Sequence, residues 1–226
     1  LGCVAFAYSS HFFLIKTHDP SGIYKSVTIS LSIFAIVLLV GKLKSREQKN
    51  IQALKRSGAA LIHMATTDKL TGASNRHAFY KRGEALHEHS KSLNIPISVL
   101  FIDIDHFKQI NDLYGHAFGD AALERISNAI KHCLRGSDIN CRYGGEEFVV
   151  LLAHADSDAA HLVAHRIISV VQSIRFREYP DLRLSVSIGL SCMQPEAPRS
   201  LESLIRSADK AMYQAKQDGR NRVTME

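Results

Sequence analysis

IPISVLFIDID, residues 95–105, is an almost unbroken apolar run that ends in two acidic residues. A short run of this kind is typical of a buried β-strand. It predicts one strand of a sheet and places two carboxylates, Asp103 and Asp105, at the end of that strand. If a second strand that carries an acid pairs with it, carboxylates from both strands can converge on one site.

Apolar periodicity predicts the elements around this strand. A helix begins near Asn75, and a second helix follows the strand and is closed by Arg135 and Gly136. A hairpin, a helix through Ile174, the alternating strand LRLSVSIGL at 182–190 and a last helix come next. The order β-α-β-β-α-β predicts an α+β, ferredoxin-like fold, with an antiparallel sheet and helices packed on one face. The buried stripes of the second and last helices are predicted at Phe118, Ala122, Ile126, Ile130, Cys133 and at Leu201, Leu204, Ala208, Met212, Ala215.

RYGGEEF, residues 142–148, predicts a tight hairpin, because such turns need a positive φ that glycine adopts freely. Glu146 and Glu147 then stand beside the turn, and the alternation of side chains along a strand predicts that they point to opposite faces. One of them would converge with an acid of the first strand. Oxygen ligands suit Mg²⁺, which binds one or two carboxylates together with substrate phosphates. The alternative is that these acids simply face water at the strand ends.

The formal charge of +6 is concentrated in one part of the chain. Residues 42–56 carry +5 and residues 1–41 carry +1, so residues 57–226 sum to zero. A neutral main domain is not expected to bind a polyelectrolyte. The charge pattern therefore predicts no nucleic-acid partner.

Residues 26–41, SVTISLSIFAIVLLVG, predict a membrane-spanning helix if residues 23–25 extend it to the required length. The basic cluster that follows is what the positive-inside rule expects on the cytoplasmic side. These features predict an anchor in the inner membrane and a main domain in the cytoplasm. The start of the chain, LGCVAFAYSSHFFLI, resembles the tail of an apolar segment that begins upstream. The alternative is a buried helix of a soluble sensor domain.

After the basic cluster, apolar or small residues recur at alternating steps of three and four, the spacing of a coiled-coil seam. A parallel helical stalk would hold two copies of the chain together, and a plain connector helix is the alternative for so short a seam. We therefore divide the chain into a truncated membrane segment at 1–41, a linker helix at 42–66 and a main domain at 67–226. The seam positions are Ile51, Leu54, Gly58, Leu61 and Ala65.

Four blocks of the main domain resemble the GGDEF family of diguanylate cyclases. TDKLTGASNR at 67–76 looks like the family's opening DxLTGLxNR, and FIDIDHFKQINDLYGHAFGD at 101–120 is similar to its longest block. GGEEF at 144–148 is an accepted variant of the signature, and ADKAMYQAKQDGRNRV at 208–223 resembles the closing block. Because the four occur in the family's order, the resemblance implies a nucleotidyl-cyclase-type domain with the ferredoxin-like fold.

The family joins two GTP molecules into cyclic di-GMP with release of two pyrophosphates, and the resemblance implies this signalling reaction here. It also implies a homodimer, since each domain holds one GTP and two must face each other. Asp103, the backbone carbonyl of Ile104 and Glu146 match the magnesium ligands. Glu146 also matches the position usually assigned as proton acceptor for the attacking 3′-hydroxyl.

The resemblance implies the substrate contacts as well. Asn111 and Asp120 match the guanine-reading pair, and the chemistry agrees, because an acid accepts from the N1 and N2 donors of guanine while an amide completes the edge. His116 is similar to the nearby substrate-contacting histidine. The positions that bind phosphate are matched by three cations, Lys108, Lys216 and Arg220.

An RxxD pattern implies a product-inhibition site. Arg135 and Asp138 form this pattern at the family's offset from the signature, and Arg166 is expected to be the partner arginine from a second domain. Arginine both stacks on guanine and binds phosphate, which suits cyclic di-GMP as the inhibitor.

Two other functions would use the same motifs. A catalytically inactive receptor would bind cyclic di-GMP through Arg135 and Asp138. A regulatory or scaffold module would bind GTP without turnover. Intact Asp103, Glu146 and Asn111 favour the enzyme over both.

Overall fold

The computed structural model describes residues 20–194, 197 and 199–226, and gives no side-chain description for residues 20–23, 26 and 53–65. The chain divides into two compact units between Leu61 and Ile62. The elements, in order, are α1 (Pro20–Thr66), α2 (Arg76–Leu93), β1 (Ile97–Ile104), α3 (Phe107–Tyr114), α4 (His116–His132), β2 (Ile139–Arg142), β3 (Glu147–Leu152), α5 (Ser157–Ser173), β4 (Val186–Met193), α6 (Leu201–Gln217) and β5 (Val223–Met225).

The first unit contains most of α1, a single helix without a break between the predicted membrane segment and the predicted linker. Val27–Gln52 is long enough to cross a bilayer, and its most apolar 18-residue stretch has a mean hydropathy of 2.0 and contains no buried residue. This is weak evidence for a membrane anchor, because a signal sequence has the same length and composition. Most of the predicted coiled-coil seam lies outside the described side chains, so the seam stays a prediction.

The second unit is built on a five-stranded sheet in the order β2-β3-β1-β4-β5. The first four strands are antiparallel neighbours and confirm the predicted β-α-β-β-α-β order and the ferredoxin-like α+β fold. The short β5 adds a parallel neighbour to β4, which the sequence pattern did not predict. β1 therefore lies at the centre of the sheet, between β3 and β4.

Helices cover both faces of this sheet, so the prediction of helices on one face is wrong. Side chains alternate along β1: Leu100 and Ile102 lie in a core with α4 and α5, whereas Val99 and Phe101 lie in a second core with α2 and α6. All eight residues of β1 are buried. This explains why its sequence is almost continuously apolar instead of alternating.

Local signals place the helices of the second unit close to their predicted limits. The Asn75 side chain accepts a hydrogen bond from the Ala78 amide at 2.9 Å and caps the start of α2, as expected for this residue type. The predicted stripes of α4 and α6 are buried apart from Phe118, which is partly buried. α4 ends at His132, before the predicted closure at Arg135 and Gly136.

Gly189 of β4 permits a close approach of α6, which carries one of the predicted site residues. A Cβ on Gly189 would overlap the Ala208 carbonyl oxygen and the Met212 nitrogen, both of them backbone atoms that cannot move aside independently. We expect Gly189→Ala to lower the free energy of unfolding by about 3 kcal/mol. Chemical denaturation measures this change.

Gly136→Ala is the matched control, because no atom lies within 4 Å of a Cβ built at Gly136. We expect this control to change stability by less than about 0.5 kcal/mol. Equal effects of the two substitutions would contradict the close packing of β4 on α6.

Candidate active site

Asp103 is a buried carboxylate on the β1 face that packs against α6, with 5% of the residue exposed. Lys216, in the last turn of α6, places its Nζ 2.7 Å from Asp103 Oδ1. No other donor in the described residues reaches that oxygen. Burial raises the pKa of Asp103 to about 6; Lys216 opposes this rise, and Glu146 and Glu147 add to it.

The charges of both signature acids act on Asp103, whereas only one of the two was expected to converge with it. β3 begins at Glu147, whose Cα is the register partner of Asp103, while Glu146 lies in the preceding turn, where strand alternation does not apply. Burial raises the pKa of Glu147, and the negative charges of Asp209 and Glu146 raise it further. The acids therefore remain electrostatically coupled, and Glu147 is a site residue that the sequence reasoning missed.

The glycines of the signature turn serve a different purpose from the predicted one, since neither Gly144 nor Gly145 has a positive φ. A Cβ on Gly144 would overlap the Glu147 carboxylate, so the glycine makes room for that side chain. The Gly145 carbonyl accepts hydrogen bonds from Arg142 Nε at 3.0 Å and Nη2 at 2.8 Å. Gly144 therefore provides space for a side chain and not a positive φ.

Arg142 also links this turn to the segment that follows α1. Its Nη1 lies 3.2 Å from Asp68 Oδ1, which also accepts hydrogen bonds from the Thr71 amide and hydroxyl. Burial acts to raise the pKa of Asp68, but the hydrogen bonds from Thr71 and the contact with Arg142 outweigh it and lower the pKa. The ion pair therefore favours a charged Asp68 and holds the signature turn against the opening motif.

Asp105, the second acid of the 95–105 run, is structural. Its carboxylate accepts hydrogen bonds from the hydroxyls of Ser185 and Ser187, each at 2.7 Å, and from the Asn221 amide at 3.1 Å. Asn221 follows Arg220, which itself has a left-handed backbone with φ 61°. Asp105 thus positions the exposed loop that carries Arg220, a role that spacing alone could not distinguish from metal binding.

The predicted guanine-reading residues lie on two consecutive helices. Asn111 is on α3. Gly115, with φ 84°, separates α3 from α4, and His116 and Asp120 are exposed on α4. A Cβ on Gly119 would overlap the Asn111 side-chain oxygen, so that glycine makes room for the amide. The break and the close approach bring Asn111 next to the start of α4. Lys108, also on α3, is exposed.

An aromatic cluster supports these two helices and was not predicted. The ring of Tyr114 lies 4.4 Å from that of Tyr179, and the ring of Phe118 lies 4.6 Å from that of Phe176, measured between centroids. Tyr114 and Phe118 flank the break between α3 and α4, whereas Phe176 and Tyr179 belong to the loop after α5. The cluster therefore packs that loop against the helices that carry the predicted guanine-reading residues.

The predicted product-inhibition residues lie together within one chain. Arg135, Asp138 and Arg166 line a cavity of about 40 Å³, and Arg135 and Asp138 also line a second cavity of about 310 Å³ that Lys131 borders. The Asp138 carboxylate accepts hydrogen bonds from the Arg135 amide at 2.8 Å and the Ala153 amide at 3.1 Å. These bonds fix the turn and leave the Arg135 side chain exposed.

The acids near β1 have the chemistry of a magnesium site. Among the described residues, no group of three or more His, Cys, Asp or Glu side chains is arranged to hold a metal by itself. Mg²⁺ at nucleotide sites uses one or two carboxylates and completes its shell with phosphates and water. The buried Oδ1 of Asp103, whose one close partner among the described residues is the Lys216 ammonium, and the nearby Glu146 supply such oxygens. The donor set fits magnesium bound together with a nucleotide.

Comparison with known proteins agrees with this geometry. The family model described as "Diguanylate cyclase, GGDEF domain" matches residues 65–222. The chain belongs to the GGDEF diguanylate cyclase family. This confirms the family predicted from the four blocks, and the GGDEF domain corresponds to the βαββαβ unit described above.

Relatives of this GGDEF domain include proteins named as diguanylate cyclases. Diguanylate cyclase A of Treponema denticola is 40% identical over 184 residues, which are 78% of this chain and 48% of the relative. The chain spans about half the length of the curated relatives it matches.

Two solved structures have the same GGDEF fold. The coiled coil and GGDEF domain of DgcB from Caulobacter crescentus, in complex with c-di-GMP, matches with a TM-score of 0.74 and 28% identity over 83% of this chain and 99% of that one. The active GGEEF domain of a diguanylate cyclase from Vibrio cholerae matches with a TM-score of 0.63 and 30% identity over 67% of this chain and 96% of that one.

Proposed function

We propose that the chain is a diguanylate cyclase that condenses two GTP molecules into cyclic di-GMP and two pyrophosphates. The observation that carries the proposal is the buried Asp103 carboxylate, paired with Lys216 at 2.7 Å and beside Glu146, in a chain of the GGDEF family. The relative from Vibrio cholerae, an active GGEEF domain, supports activity with the signature at 144–148. The proposed catalytic domain is 67–226.

The acids at the end of β1 and in the signature turn would act on the reacting groups. Asp103, the Ile104 carbonyl and Glu146 would hold magnesium, which when bound neutralises triphosphate charge and aids the departure of pyrophosphate. A carboxylate oxygen of Glu146 accepts the proton of the attacking 3′-hydroxyl. Burial of Asp103 between β3 and β4 keeps its carboxylate in one orientation.

The helices α3 and α4 would select guanine. Asp120 accepts from the N1 and N2 donors of the base, and the amide of Asn111 completes the edge. His116 contacts the substrate nearby. Cations on three segments would bind the phosphates, namely Lys108, Lys216 and Arg220.

The reaction needs two copies of the chain and, we propose, takes place at the inner membrane. Each domain binds one GTP, so two domains in a homodimer face each other. The exposed apolar side chains of Val27–Gln52 support membrane insertion of residues 1–41, and the basic residues after Gly41 support a cytoplasmic catalytic domain. Residues 42–66 would act as the linker helix.

The proposal is tested by incubating the purified chain with GTP and Mg²⁺ and quantifying cyclic di-GMP and pyrophosphate by chromatography. We expect two pyrophosphates for each cyclic di-GMP. A folded dimer that forms no product but retains cyclic di-GMP would be the inactive receptor. A folded dimer that forms no product and retains only GTP would be a binding module.

The contact between Asn111 and Gly119 predicts a non-additive effect on substrate binding. Gly119→Ala should displace the Asn111 amide and raise the KM for GTP about tenfold, as the loss of one hydrogen bond to a base does. Asn111→Ala should have a similar effect. Steady-state kinetics at saturating Mg²⁺ measure both.

The double variant, which combines Gly119→Ala with Asn111→Ala, provides the control. It contains no Asn111 amide that the new methyl group at position 119 could displace. We expect its KM to equal that of Asn111→Ala alone. Additive effects of the two substitutions would mean that Gly119 acts through something other than Asn111.

Arg135 is expected to carry feedback inhibition by cyclic di-GMP through the cavity that it shares with Asp138 and Arg166. Arg135→Ala should raise the inhibition constant for cyclic di-GMP at least about tenfold, because a stacking and phosphate-binding group is lost. The initial rate without product should not change. Progress curves with added cyclic di-GMP measure both quantities.

Lys131→Ala is the matched control, since Lys131 carries the same charge but borders only the larger of the two described cavities. Its inhibition constant should stay close to that of the unmodified chain. Feedback inhibition that survives in Arg135→Ala would remove Arg135, Asp138 and Arg166 from the inhibitory role.

A further inference from the structure

We propose that the Lys216 ammonium occupies the cation position beside Asp103 in the nucleotide-free protein, so that metal binds tightly only after substrate phosphates draw Lys216 away. This inference rests on the proposed function and concerns the order in which the same site is filled. It assigns Lys216 a second role, in addition to phosphate binding.

The geometry that supports this role is a single close ion pair. Lys216 Nζ lies 2.7 Å from Asp103 Oδ1, with 29% of the Lys216 side chain and 6% of the Asp103 side chain exposed. Asp103 forms no other ion pair in the described part of the chain. A metal ion coordinated by the same oxygen would stand close to the ammonium, and two cations at that separation repel strongly in a partly desolvated site.

The two partners differ in their freedom to move. Asp103 is fixed in β1, between two strands that pair with it on both sides. Lys216 stands in the last turn of α6 on a flexible four-carbon stem, and its ammonium can turn outward without any change in the backbone. The cation is therefore the partner that leaves.

A bound triphosphate would attract the Lys216 ammonium away from Asp103. Its oxygens offer the ammonium a larger negative charge than one carboxylate does, and they complete the oxygen shell of the metal at the same time. The metal and the phosphates therefore favour each other's binding, and the coupling is reciprocal. Lys108 and Arg220, assigned to the same phosphates, make no ion pair with Asp103 in the described residues, so this coupling belongs to Lys216.

The test measures metal affinity in the absence of nucleotide. The full chain in detergent is titrated with Mn²⁺ as the probe, and free Mn²⁺ is quantified by its electron paramagnetic resonance signal. We expect Lys216→Met to bind Mn²⁺ at least about tenfold more tightly than the unmodified chain, because the competing cation is gone. Lys216→Arg, which keeps the charge, should retain the weak binding.

Two further variants locate the effect. Lys108→Met removes a cation that is assigned to the same phosphates but does not contact Asp103, and its Mn²⁺ affinity should equal that of the unmodified chain. Adding Asp103→Asn to Lys216→Met should abolish the tight binding. The inference is overturned if Lys216→Met binds Mn²⁺ no more tightly than the unmodified chain, or if tight binding survives the loss of Asp103.

Failure of this inference can be distinguished from failure of the proposed function. Cyclic di-GMP synthesis by the unmodified chain, together with unchanged Mn²⁺ affinity in Lys216→Met, would overturn the inference alone. Tight Mn²⁺ binding by Lys216→Met without synthesis by the unmodified chain would overturn the proposed activity alone.

Discussion

Asparagine in place of Asp103 is expected to abolish cyclic di-GMP synthesis and, at the same time, to stabilise the metal-free fold. Synthesis should fall at least about 100-fold, because the substitution removes the buried carboxylate that would hold the metal. Stability should rise because an ionised Asp103 is costly in its buried site, even beside Lys216. Product assays and chemical denaturation in chelator-containing buffer measure the two effects.

The stability gain should depend on pH with a defined sign. Burial raises the pKa of Asp103 from 3.8 to about 6, so the folded protein holds this proton more tightly than the unfolded chain does. The stabilisation that comes from protonated Asp103 is therefore present below about pH 4 and is lost as pH rises through about 6. Asp103→Asn has no such loss, so its stability advantage over the unmodified chain should be near zero at low pH and reach about 3 kcal/mol above pH 7.

Asp105→Ala provides the contrast, because Asp105 lies two residues away and is also buried. Its carboxylate accepts hydrogen bonds from Ser185, Ser187 and Asn221, and the substitution leaves these donors without their acceptor. We expect it to lower the free energy of unfolding by about 2–3 kcal/mol. If Asp103→Asn were also destabilising at neutral pH, the charge at Asp103 would not be the costly feature described here.

Glu146→Gln should reduce cyclic di-GMP synthesis at least about 100-fold while leaving the fold intact. The amide is nearly isosteric with the carboxylate, but it accepts no proton and is a poorer ligand for Mg²⁺. Glu146 lies in the turn before β3 and is half-buried, so little packing is lost. Synthesis from saturating GTP, with circular dichroism as the test of folding, measures the result.

Glu124→Gln is the matched control, since it removes one exposed carboxylate from α4. Its rate should stay within about twofold of the unmodified chain, as for most surface substitutions. A rate for Glu146→Gln that equals that of the control would remove Glu146 from both of its assigned roles.

The sequence correctly predicted the β-α-β-β-α-β order along the chain and the buried stripes of α4 and α6. These features are predictable because apolar residues recur at the same spacing as buried positions. Ala122, Ile126 and Ile130 are buried as expected, and β1 forms the centre of the sheet. The error about the helices arose because the continuous apolar run of β1 indicates burial on both faces, whereas the prediction used the simpler arrangement with one covered face. The family assignment was confirmed by the comparisons.

The finer features of the site depend on contacts between distant segments, which spacing does not reveal. The pairing of Lys216 with Asp103 joins residues more than a hundred positions apart. The hydrogen bonds of Asp105 with Ser185, Ser187 and Asn221 join residues at least 80 positions apart. The signature turn was wrongly predicted for a different reason. Gly144 makes room for the Glu147 side chain and has no positive φ, and a sequence pattern cannot distinguish these two uses of glycine.

The bridge from Asp68 through Arg142 to the Gly145 carbonyl has a mechanical consequence. Thr66, the last residue of α1, accepts a backbone hydrogen bond from Asn75 at 2.9 Å, and Asp68 follows two positions later. A displacement of that end of the helix would reach the signature turn through this guanidinium, and it would reach β2 through the backbone hydrogen bonds of Ser74 with Asn140 and Arg142. The path from the end of α1 to the signature turn is therefore short, and the contacts of Arg142 with Asp68 and Gly145 would contribute to how strongly the two move together.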